Sequence, residues 1–251
     1  MLPQAVILAA GRGRRLLPQT RTSPKCLIPI RRGTILEHQL NNLRALGFED
    51  VVLVCGFGAN QIRDAASEFN RDLHIQFVVN EQYAIGDNLI SLWSARKVLE
   101  DSFVLINGDN LFHPGILELL TKSANRCCLM VDRKSCYDDD DMKVKTRGNR
   151  IVRIGKSLDP HSVDAESVGI MQFTYDAVEA LKVCLDEIVS TDPATDCCYL
   201  NAIQGMIDNN YEVGYRDVGD LPWADVDTLD DLNFVRTHLS LFTSPQWLET
   251  V

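Results

Sequence analysis

Short apolar runs alternate with amphipathic stretches through the first half of the chain. The runs have the length of buried strands, and the stretches between them repeat apolar residues at helical spacing. The predicted strands cover residues 5–10, 51–55, 75–79 and 103–106, and the predicted helices cover 35–46, 62–69, 89–99 and 116–124. Strands that alternate with helices predict a parallel sheet with helices on both faces.

The pattern changes after residue 125, where short strands joined by polar turns replace the regular alternation. Predicted strands cover 127–131, 142–146, 151–154, 168–173 and 212–217, with a hairpin turn at 147–150, and a further short strand segment covers 223–227. Predicted helices cover 176–189, 199–208 and 229–239. The sequence therefore predicts an α/β fold, a three-layer αβα sandwich with a mostly parallel, Rossmann-like sheet and a small β-rich cap. We expect one domain over residues 1–251, composed of the halves 1–125 and 126–251.

A glycine- and arginine-rich loop follows the first predicted strand. It contains Gly11, Gly13 and Arg15, and Lys25 follows on a proline-stiffened segment. Glycines let backbone amides approach a ligand closely, and arginine side chains pair with phosphate oxygens. The loop is therefore predicted to hold a polyphosphate at the carboxyl edge of the sheet. A plain glycine-rich turn with solvated arginines is the alternative.

Two better-known phosphate-binding loops do not fit this segment. The P-loop requires Gly-x4-Gly-Lys-Ser/Thr, which is absent from the sequence. The dinucleotide fingerprint requires a third glycine at the position that Leu16 occupies. The loop is therefore expected to belong to another class of nucleotide-binding protein.

Carboxylates follow two predicted strands that lie far apart in the sequence. Asp109 comes just after the strand 103–106, and Asp225 and Asp227 alternate on a short strand and so share one face. Thr228 is placed to cap the next helix, which leaves these carboxylates free. One aspartate from each segment would form a hard-oxygen site suited to Mg²⁺ together with substrate phosphates. The alternative for a lone aspartate after a strand is a turn or helix-capping role.

Composition narrows the class of protein further. The net charge of −10 argues against a nucleic-acid partner, because binding a phosphate backbone requires a basic face. No apolar stretch approaches the roughly 18 residues of a membrane span, and no signal-peptide pattern opens the sequence, so we expect a cytoplasmic protein without a membrane partner. The eight cysteines lack Cys-x-x-Cys spacing, and adjacent residues on a strand face opposite ways. We therefore expect reduced, mostly buried thiols.

Taken together, these motifs resemble the nucleotidyltransferase superfamily with a GT-A-like fold, over nearly the full length of the chain. Within it the sequence is most similar to small CTP-dependent cytidylyltransferases that act on phosphocholine, 2-aminoethylphosphonate or inositol 1-phosphate. The matching residues are Gly11-x-Gly-x-Arg15-Leu16, Pro24-Lys25, Asn88-Leu-Ile-Ser91-Leu92-Trp93, Gly108-Asp109, Met142-Lys143-Val144, Ile154-Gly155-Lys156, Gly169-Ile170 and Trp223-x-Asp225-x-Asp227-Thr228.

The resemblance implies roles for particular residues. It implies that Arg15 and Lys25 contact the triphosphate and that Asp109 and Asp227, with Asp225 beside them, hold Mg²⁺. The residues expected to face the nucleotide are Leu8, Ala9, Ala10, Gly11, Arg12, Gly13, Arg15, Lys25, Asn80, Asp87, Asn88 and Asp109. The residues expected at the acceptor are Lys143, Lys156, Trp223 and Asp225. The sequence departs from the group's pattern at Asp87, where asparagine is frequent, and at Asp225, where glutamate is frequent.

The expected reaction is transfer of CMP from CTP to a small phosphorylated or phosphonate acceptor, with release of pyrophosphate. Because the acceptor oxygen is already ionised at neutral pH, no general base is required. An inositol-1-phosphate or sugar-1-phosphate nucleotidyltransferase that uses CTP, UTP, dTTP or GTP is the enzymatic alternative. A nucleotide-binding regulatory homologue is the non-enzymatic one. The sequence leaves the identity of the acceptor and homo-oligomer formation open.

Overall fold

A computed structural model describes residues 2–85, 87–191 and 197–243. The strands in chain order are β1 (Gln4–Ala9), β2 (Asp50–Cys55), β3 (His74–Val79), β4 (Ser102–Asn107), β5 (Asn110–Phe112), β6 (Cys127–Asp132), β7 (Lys143–Arg147), β8 (Arg150–Gly155), β9 (Ala165–Thr174), β10 (Gly214–Asp217) and β11 (Trp223–Asp225). The helices are α1 (Ile35–Ala45), α2 (Ala59–Ala66), α3 (Asn88–Ala95), α4 (Gly115–Thr121), α5 (Asp176–Thr191), α6 (Leu200–Asp208) and α7 (Leu229–Thr237).

One nine-stranded sheet contains strands from both halves of the chain, in the order β3-β2-β1-β4-β9-β6-β10-β8-β7. Strands β1 to β4 pair in parallel, and β6 and β10 are also parallel to each other. Strand β9 is antiparallel to both of its neighbours, β4 and β6. The predicted hairpin forms from β7 and β8 at one end of the order. The predicted α/β fold with a mostly parallel sheet is therefore confirmed.

Helices cover both faces of this sheet, because successive strand residues face opposite sides. In β1, Val6 and Leu8 join one apolar cluster, which α3, α5 and α6 complete. Ala5 and Ile7 join a second cluster with α1, α2 and α4. The predicted three-layer arrangement follows from this alternation.

A third, smaller apolar cluster joins the segment after β1 to the last helices of the described chain. Leu16 and Ile28, from the segment after β1, pack with Val226 and with Leu232 and Val235 of α7. All five of these side chains are buried. The cluster therefore holds the glycine-rich loop next to the segment that carries Asp225 and Asp227.

The structure differs from the predicted elements mainly at their ends. Helix α2 begins at Ala59, earlier than predicted, after Gly58 in a left-handed conformation. Helix α3 ends at Ala95, because the apolar residues Val98 and Leu99 pack on the core from a turn instead. Strand β5 was not predicted from the sequence. It pairs with β11 in a separate two-stranded sheet beside the main one.

Most of the cysteines are buried, as predicted. None forms a disulfide, and five of the eight are buried. Cys127 and Cys128 lie on opposite faces of β6, one in each of the two large clusters. Burial raises the pKa of the Cys55 thiol to about 12, which keeps it protonated at neutral pH. Among the described helices, none combines the length and the apolar character that crossing a bilayer requires.

Candidate active site

The glycine-rich loop leaves the sheet at the end of β1 and folds back against Lys25. Gly13 has a φ of +71°, and a Cβ atom there would lie 2.9 Å from the Cβ of Lys25. The hydroxyl of Thr20 donates a hydrogen bond of 2.7 Å to the carbonyl oxygen of Gly13. Glycine is required at residue 13 both for its left-handed backbone and for its contact with Lys25.

Asp109 occupies the tight turn between β4 and β5. The residue before it, Gly108, lies so close to β1 that a Cβ atom would be 2.5 Å from the carbonyl oxygen of Leu8. The amide of Gly108 donates to that same oxygen at 3.1 Å. The turn is therefore pressed against the end of β1, which places Asp109 at the carboxyl edge of the sheet, where ligands of such sheets bind.

The structure brings the four residues expected to be catalytic into one cluster. The ammonium Nζ of Lys25 lies 2.6 Å from Oδ2 of Asp109 and also contacts Oδ1 of Asp227. Nη2 of Arg15 lies 2.8 Å from Oδ2 of Asp227. Lys25 is 8% exposed, whereas the Arg15 side chain is 53% exposed and reaches the solvent. The cluster therefore combines a buried cation, Lys25, with a solvent-accessible one, Arg15.

The charges in this cluster shift one another's pKa values. Burial disfavours the charged form of Lys25, but the carboxylates of Asp109 and Asp227 outweigh burial and raise its pKa. Burial has the opposite effect on Asp227, where the cations Lys25 and Arg15 prevail and lower the pKa. Both groups are therefore charged at neutral pH.

Asp225 lies beside the cluster in a different environment. Burial, followed by the nearby charge of Asp109, raises its pKa well above the usual range. Its Oδ1 atom is buried without a hydrogen-bond partner among the described residues. Such an orphaned oxygen is costly, and an added cation would relieve the cost.

The donor set around Lys25 fits a hard divalent cation that arrives with phosphate. Oxygens of Asp109 and Asp227 contact the same nitrogen atom, so the two carboxylates are close enough to share one cation. The described residues contain no group of three or more His, Cys, Asp or Glu side chains arranged as a metal site. Mg²⁺ commonly binds one or two carboxylates and completes its shell with substrate phosphates and water. The residues present fit that arrangement.

Two pockets open on the glycine-rich loop side of the cluster. The first, of about 150 Å³, is lined by Leu8, Ala10, Gly11, Tyr83, Asp87, Asn88, Ser91, Asn107, Gly108 and Asp109. The second, of about 460 Å³, is lined by Arg12, Gly13, Arg14, Tyr83, Ala84, Ile85 and Asp87. Most residues expected at the nucleotide lie in these linings, and residue 86 of that stretch lies outside the described residues.

Four residues of that expected set lie outside both linings: Arg15 and Lys25 belong to the charged cluster described above, and Ala9 and Asn80 take other positions. Ala9 is buried within β1 and is absent from both linings. Asn80 is buried, donates from Nδ2 to the hydroxyl of Ser91 at 3.0 Å and accepts from the amide of Gln82 at 2.9 Å. Asn80 therefore fixes the start of the loop that carries Tyr83. Tyr83 lies within the region 80–88 expected at the nucleotide, but it was not singled out, since a lone tyrosine in a loop gives no sequence signal.

A larger cleft of about 700 Å³ adjoins the cluster and reaches the residues that flank the β7–β8 hairpin, which we call the cap. Of the residues expected at the acceptor, Lys156, Trp223 and Asp225 line it. Lys143 does not: its ammonium donates to the backbone carbonyls of Lys156 at 2.8 Å and Asp141 at 3.4 Å. We call this cavity the acidic cleft, because its described lining carries nine carboxylate side chains and three cationic ones.

Sequence reasoning missed a charged cluster on the cap wall of the acidic cleft. Nζ of Lys134 lies 2.8 Å from both Oδ1 of Asp141 and Oε2 of Glu166. Burial, opposed by Lys134, raises the pKa of Glu166 to about 7. In the loop before β7, Asp140 lies 3.2 Å from Arg15 and 3.6 Å from Lys156. Ion pairs thus join the cap to the glycine-rich loop across the mouth of the cleft.

Comparison with known proteins shows the family to which this fold belongs. Residues 5–137 match the family model described as the MobA-like NTP transferase domain. Choline-phosphate cytidylyltransferase of Streptococcus pneumoniae is 26% identical over 213 residues, which cover 80% of this chain and 90% of that protein. CMP-5'-(3-aminopropyl)phosphonate synthase of Streptomyces rubellomurinus is 35% identical over 130 residues, 52% of this chain. That match spans only 21% of the synthase, about a fifth of its length.

Solved structures agree with the sequence matches. The inositol-1-phosphate CTP transferase from T. maritima superposes with a TM-score of 0.80 at 26% identity, over 96% of each chain. The fold, the matched segment and these relatives confirm the resemblance to nucleotidyltransferases found in the sequence. The chain is a nucleotidyltransferase and belongs to the MobA-like NTP transferase family.

Proposed function

We propose that this enzyme transfers CMP from CTP to a small, amine-bearing phosphate or phosphonate and releases pyrophosphate. One observation carries the proposal most directly, namely the Lys25 ammonium held between Asp109 and Asp227 at the sheet edge. The first loop-side pocket and the acidic cleft adjoin at this cluster, because Asp109 lines both. A donor substrate and an acceptor bound in these two cavities would meet at it.

The glycine-rich loop supports binding of the triphosphate. Gly11 and Gly13 allow the backbone to approach phosphate oxygens, and Arg12 places positive charge beside them. Arg15 adds a second positive charge from the lining of the adjoining acidic cleft. Tyr83 lines both loop-side pockets, where its ring can pack against a base. The nucleoside would then lie between this loop and the amino end of α3.

The chemical step needs charge neutralisation and alignment more than acid–base chemistry. An acceptor oxygen attacks the α-phosphorus in line, a new P–O bond forms, and the bond to the departing pyrophosphate breaks. Arg15 and Lys25 neutralise the approaching and departing anions in a fixed geometry. Asp109 and Asp227 would hold Mg²⁺, with Asp225 beside them. When bound, Mg²⁺ supplies the further positive charge on the phosphate oxygens that this transfer requires.

The acidic cleft supports an acceptor that carries a positive charge. Its excess of carboxylates would repel a purely anionic sugar phosphate, whereas an ammonium group offsets that repulsion. The indole NH of Trp223 donates to Asp132 at 2.8 Å, which fixes a ring beside the cleft on which a cation can rest. The names of two relatives, an aminopropylphosphonate CMP synthase and a choline-phosphate cytidylyltransferase, agree with this class of acceptor.

A pyrophosphate-release assay with Mg²⁺ tests the proposal. CTP, UTP, dTTP and GTP are each combined with 2-aminoethylphosphonate, phosphocholine, inositol 1-phosphate and glucose 1-phosphate. We expect turnover with CTP and an amine-bearing acceptor, and a loss of at least 100-fold in Asp109→Asn and Asp227→Asn. Asp139→Asn is the matched control, because this exposed residue adjoins Asp140 without lining the acidic cleft. Turnover with dTTP and glucose 1-phosphate but none with CTP would refute the proposal.

A further inference from the structure

Buried amide side chains lie behind the turn that carries Asp109. Gln39, on α1, is 1% exposed, and its Nε2 atom donates to the carbonyl oxygens of Asn107 and Asn110, both at 2.8 Å. These two residues flank Gly108 and Asp109, so one side chain holds both ends of the turn. Asn110, which is fully buried, donates in turn to the carbonyl oxygen of Val168 on β9.

We propose that Gln39 is a positioning residue for the transfer reaction, clamping the turn 107–110 and so fixing the Asp109 carboxylate against Lys25. The inference rests on the proposed function for its catalytic consequence. Its structural part, the fixing of the turn, stands on the hydrogen bonds alone. Gln39 itself does not line the pockets or the acidic cleft described above.

The chemistry of the amide suits this task. A primary carboxamide offers two hydrogens on one nitrogen without charge, which matches two carbonyl acceptors in a buried place. Lysine or arginine would bring a charge that costs more to bury, and asparagine is one methylene shorter. Gln39 therefore has few substitutes at this position.

The clamp also leaves polar atoms without partners, which a purely structural contact would avoid. The side-chain oxygens of Gln39, Asn107 and Asn110 are buried without a hydrogen-bond partner among the described residues. Buried amides are normally satisfied, and exceptions concentrate where geometry serves a function. The unsatisfied oxygens lie directly behind Asp109, as the proposal requires.

The turn transmits its position to the other two aspartates. The carbonyl oxygen of Asp109 accepts a hydrogen bond of 3.1 Å from the amide of Val226, and Asn110 pairs with Asp225 across β5 and β11. Residue 226 lies between Asp225 and Asp227. A turn held by Gln39 therefore sets the spacing of all three carboxylates.

Replacing Gln39 by methionine tests the inference, because methionine keeps the length and removes both donors. Asn42→Leu is the matched control: Asn42 is buried on the same helix and donates to the carbonyl of Phe112 at 3.0 Å, beyond the Asp109 turn. We expect kcat to fall at least tenfold in Gln39→Met, with KM for CTP changed less than threefold. We expect kcat to fall less than threefold in Asn42→Leu. Thermal midpoints of the two variants should be similar.

Hydrogen exchange in the protein without ligands gives a second measurement that does not depend on turnover. The amide of Val226 should exchange at least tenfold faster in Gln39→Met than in Asn42→Leu. Equal exchange, or equal kcat values in the two variants, would overturn the inference. If Gln39→Met does not fold, Gln39→Asn takes its place in the experiment. A kcat equal to that of the wild type in Gln39→Asn would also overturn the inference. A wild-type protein without cytidylyltransferase activity would instead refute the proposed function and leave the exchange result valid.

Discussion

At the scale of single residues, Lys25 shows how a buried charge is kept. A lysine residue that is only 8% exposed would normally lose its ammonium proton, because burial disfavours the charged form. Two carboxylates from distant segments reverse that preference and raise the pKa of Lys25. The same contacts hold those carboxylates close together before any substrate arrives.

Glu166 provides a pH test at the same scale. Its pKa of about 7 lies well above the value of about 4.3 for a free glutamate, chiefly because of burial, with Lys134 opposing and Asp141 reinforcing the shift. The folded protein therefore binds this proton more tightly than the unfolded chain does. The resulting stability is fully present below about pH 4 and is lost as the pH rises to 7.

We expect Glu166→Gln to flatten the fall in thermal stability between pH 5 and pH 7.5, because glutamine imitates the protonated acid. Thermal midpoints measured at intervals across this range will show the effect. Glu68→Gln is the control and should follow the wild type. Glu68 is exposed and precedes β3, the edge strand farthest in the sheet from the β7–β8 hairpin. Parallel curves for the Glu166 variant and the wild type would contradict the assigned pKa.

At the scale of elements, α7 holds Asp227 through its amino-terminal cap. The Thr228 hydroxyl accepts from the amide of Asp231 at 3.2 Å, and the Asp231 carboxylate accepts from the amides of Thr228 at 2.7 Å and Asp227 at 3.1 Å. This capping box confirms that Thr228 caps the helix, as the sequence predicted. It also fixes the backbone from which the Asp227 carboxylate projects.

Two capping boxes among the described helices, at α7 and α1, allow a paired prediction. Thr34 and Glu37 form the second box, at the start of α1. Thr228→Val and Thr34→Val should each cost about 1 kcal/mol of unfolding free energy, as loss of a cap usually does. Only Thr228→Val should lower kcat, by about three- to tenfold, because only that box holds Asp227. Urea denaturation and steady-state kinetics will separate these effects, and equal kcat values would exclude a role for the α7 cap.

Most elements of the fold could be predicted from the pattern of apolar and polar residues in the sequence. Apolar runs and alternating patterns predicted every strand of the large sheet. For β1, β2, β4, β6 and β9 the pattern is strong because these strands are buried on both faces. Strand β5 was missed, since its three residues gain strand structure only by pairing with β11. Asp109 was predicted from its place after a strand, and Asp227 from its alternation with Asp225 on a short strand, although β11 ends at Asp225. Lys134 and Glu166 were not, because their contact depends on the pairing of β6 with β9, which places Glu166 opposite Asp132.

At the scale of the whole molecule, the candidate site is assembled from separate segments. Arg15 and Lys25 come from the first segment, Asp109 from the turn after β4, and Asp227 from the segment before α7. The third apolar cluster packs the first of these segments against the last. Ligand binding here should therefore stabilise the entire fold.

We expect CTP with Mg²⁺ to raise the thermal midpoint, whereas CTP with EDTA should raise it far less. At a ligand concentration of 100 times Kd the gain is about 2.7 kcal/mol, or roughly 5 °C for a chain of this size. Differential scanning calorimetry measures the shift. Asp227→Asn should lose the Mg²⁺-dependent part of it. An identical shift with EDTA and with Mg²⁺ would contradict metal binding at this site.

The contact between Lys25 and Asp227 joins positions 202 residues apart. During synthesis, Lys25 leaves the ribosome long before Asp227 is added. A nascent or prematurely terminated chain therefore lacks the carboxylate pair, although it already contains the complete segment 5–137 that matches the family. On the proposed function, a chain that terminates before residue 227 should therefore keep the glycine-rich loop but catalyse no transfer.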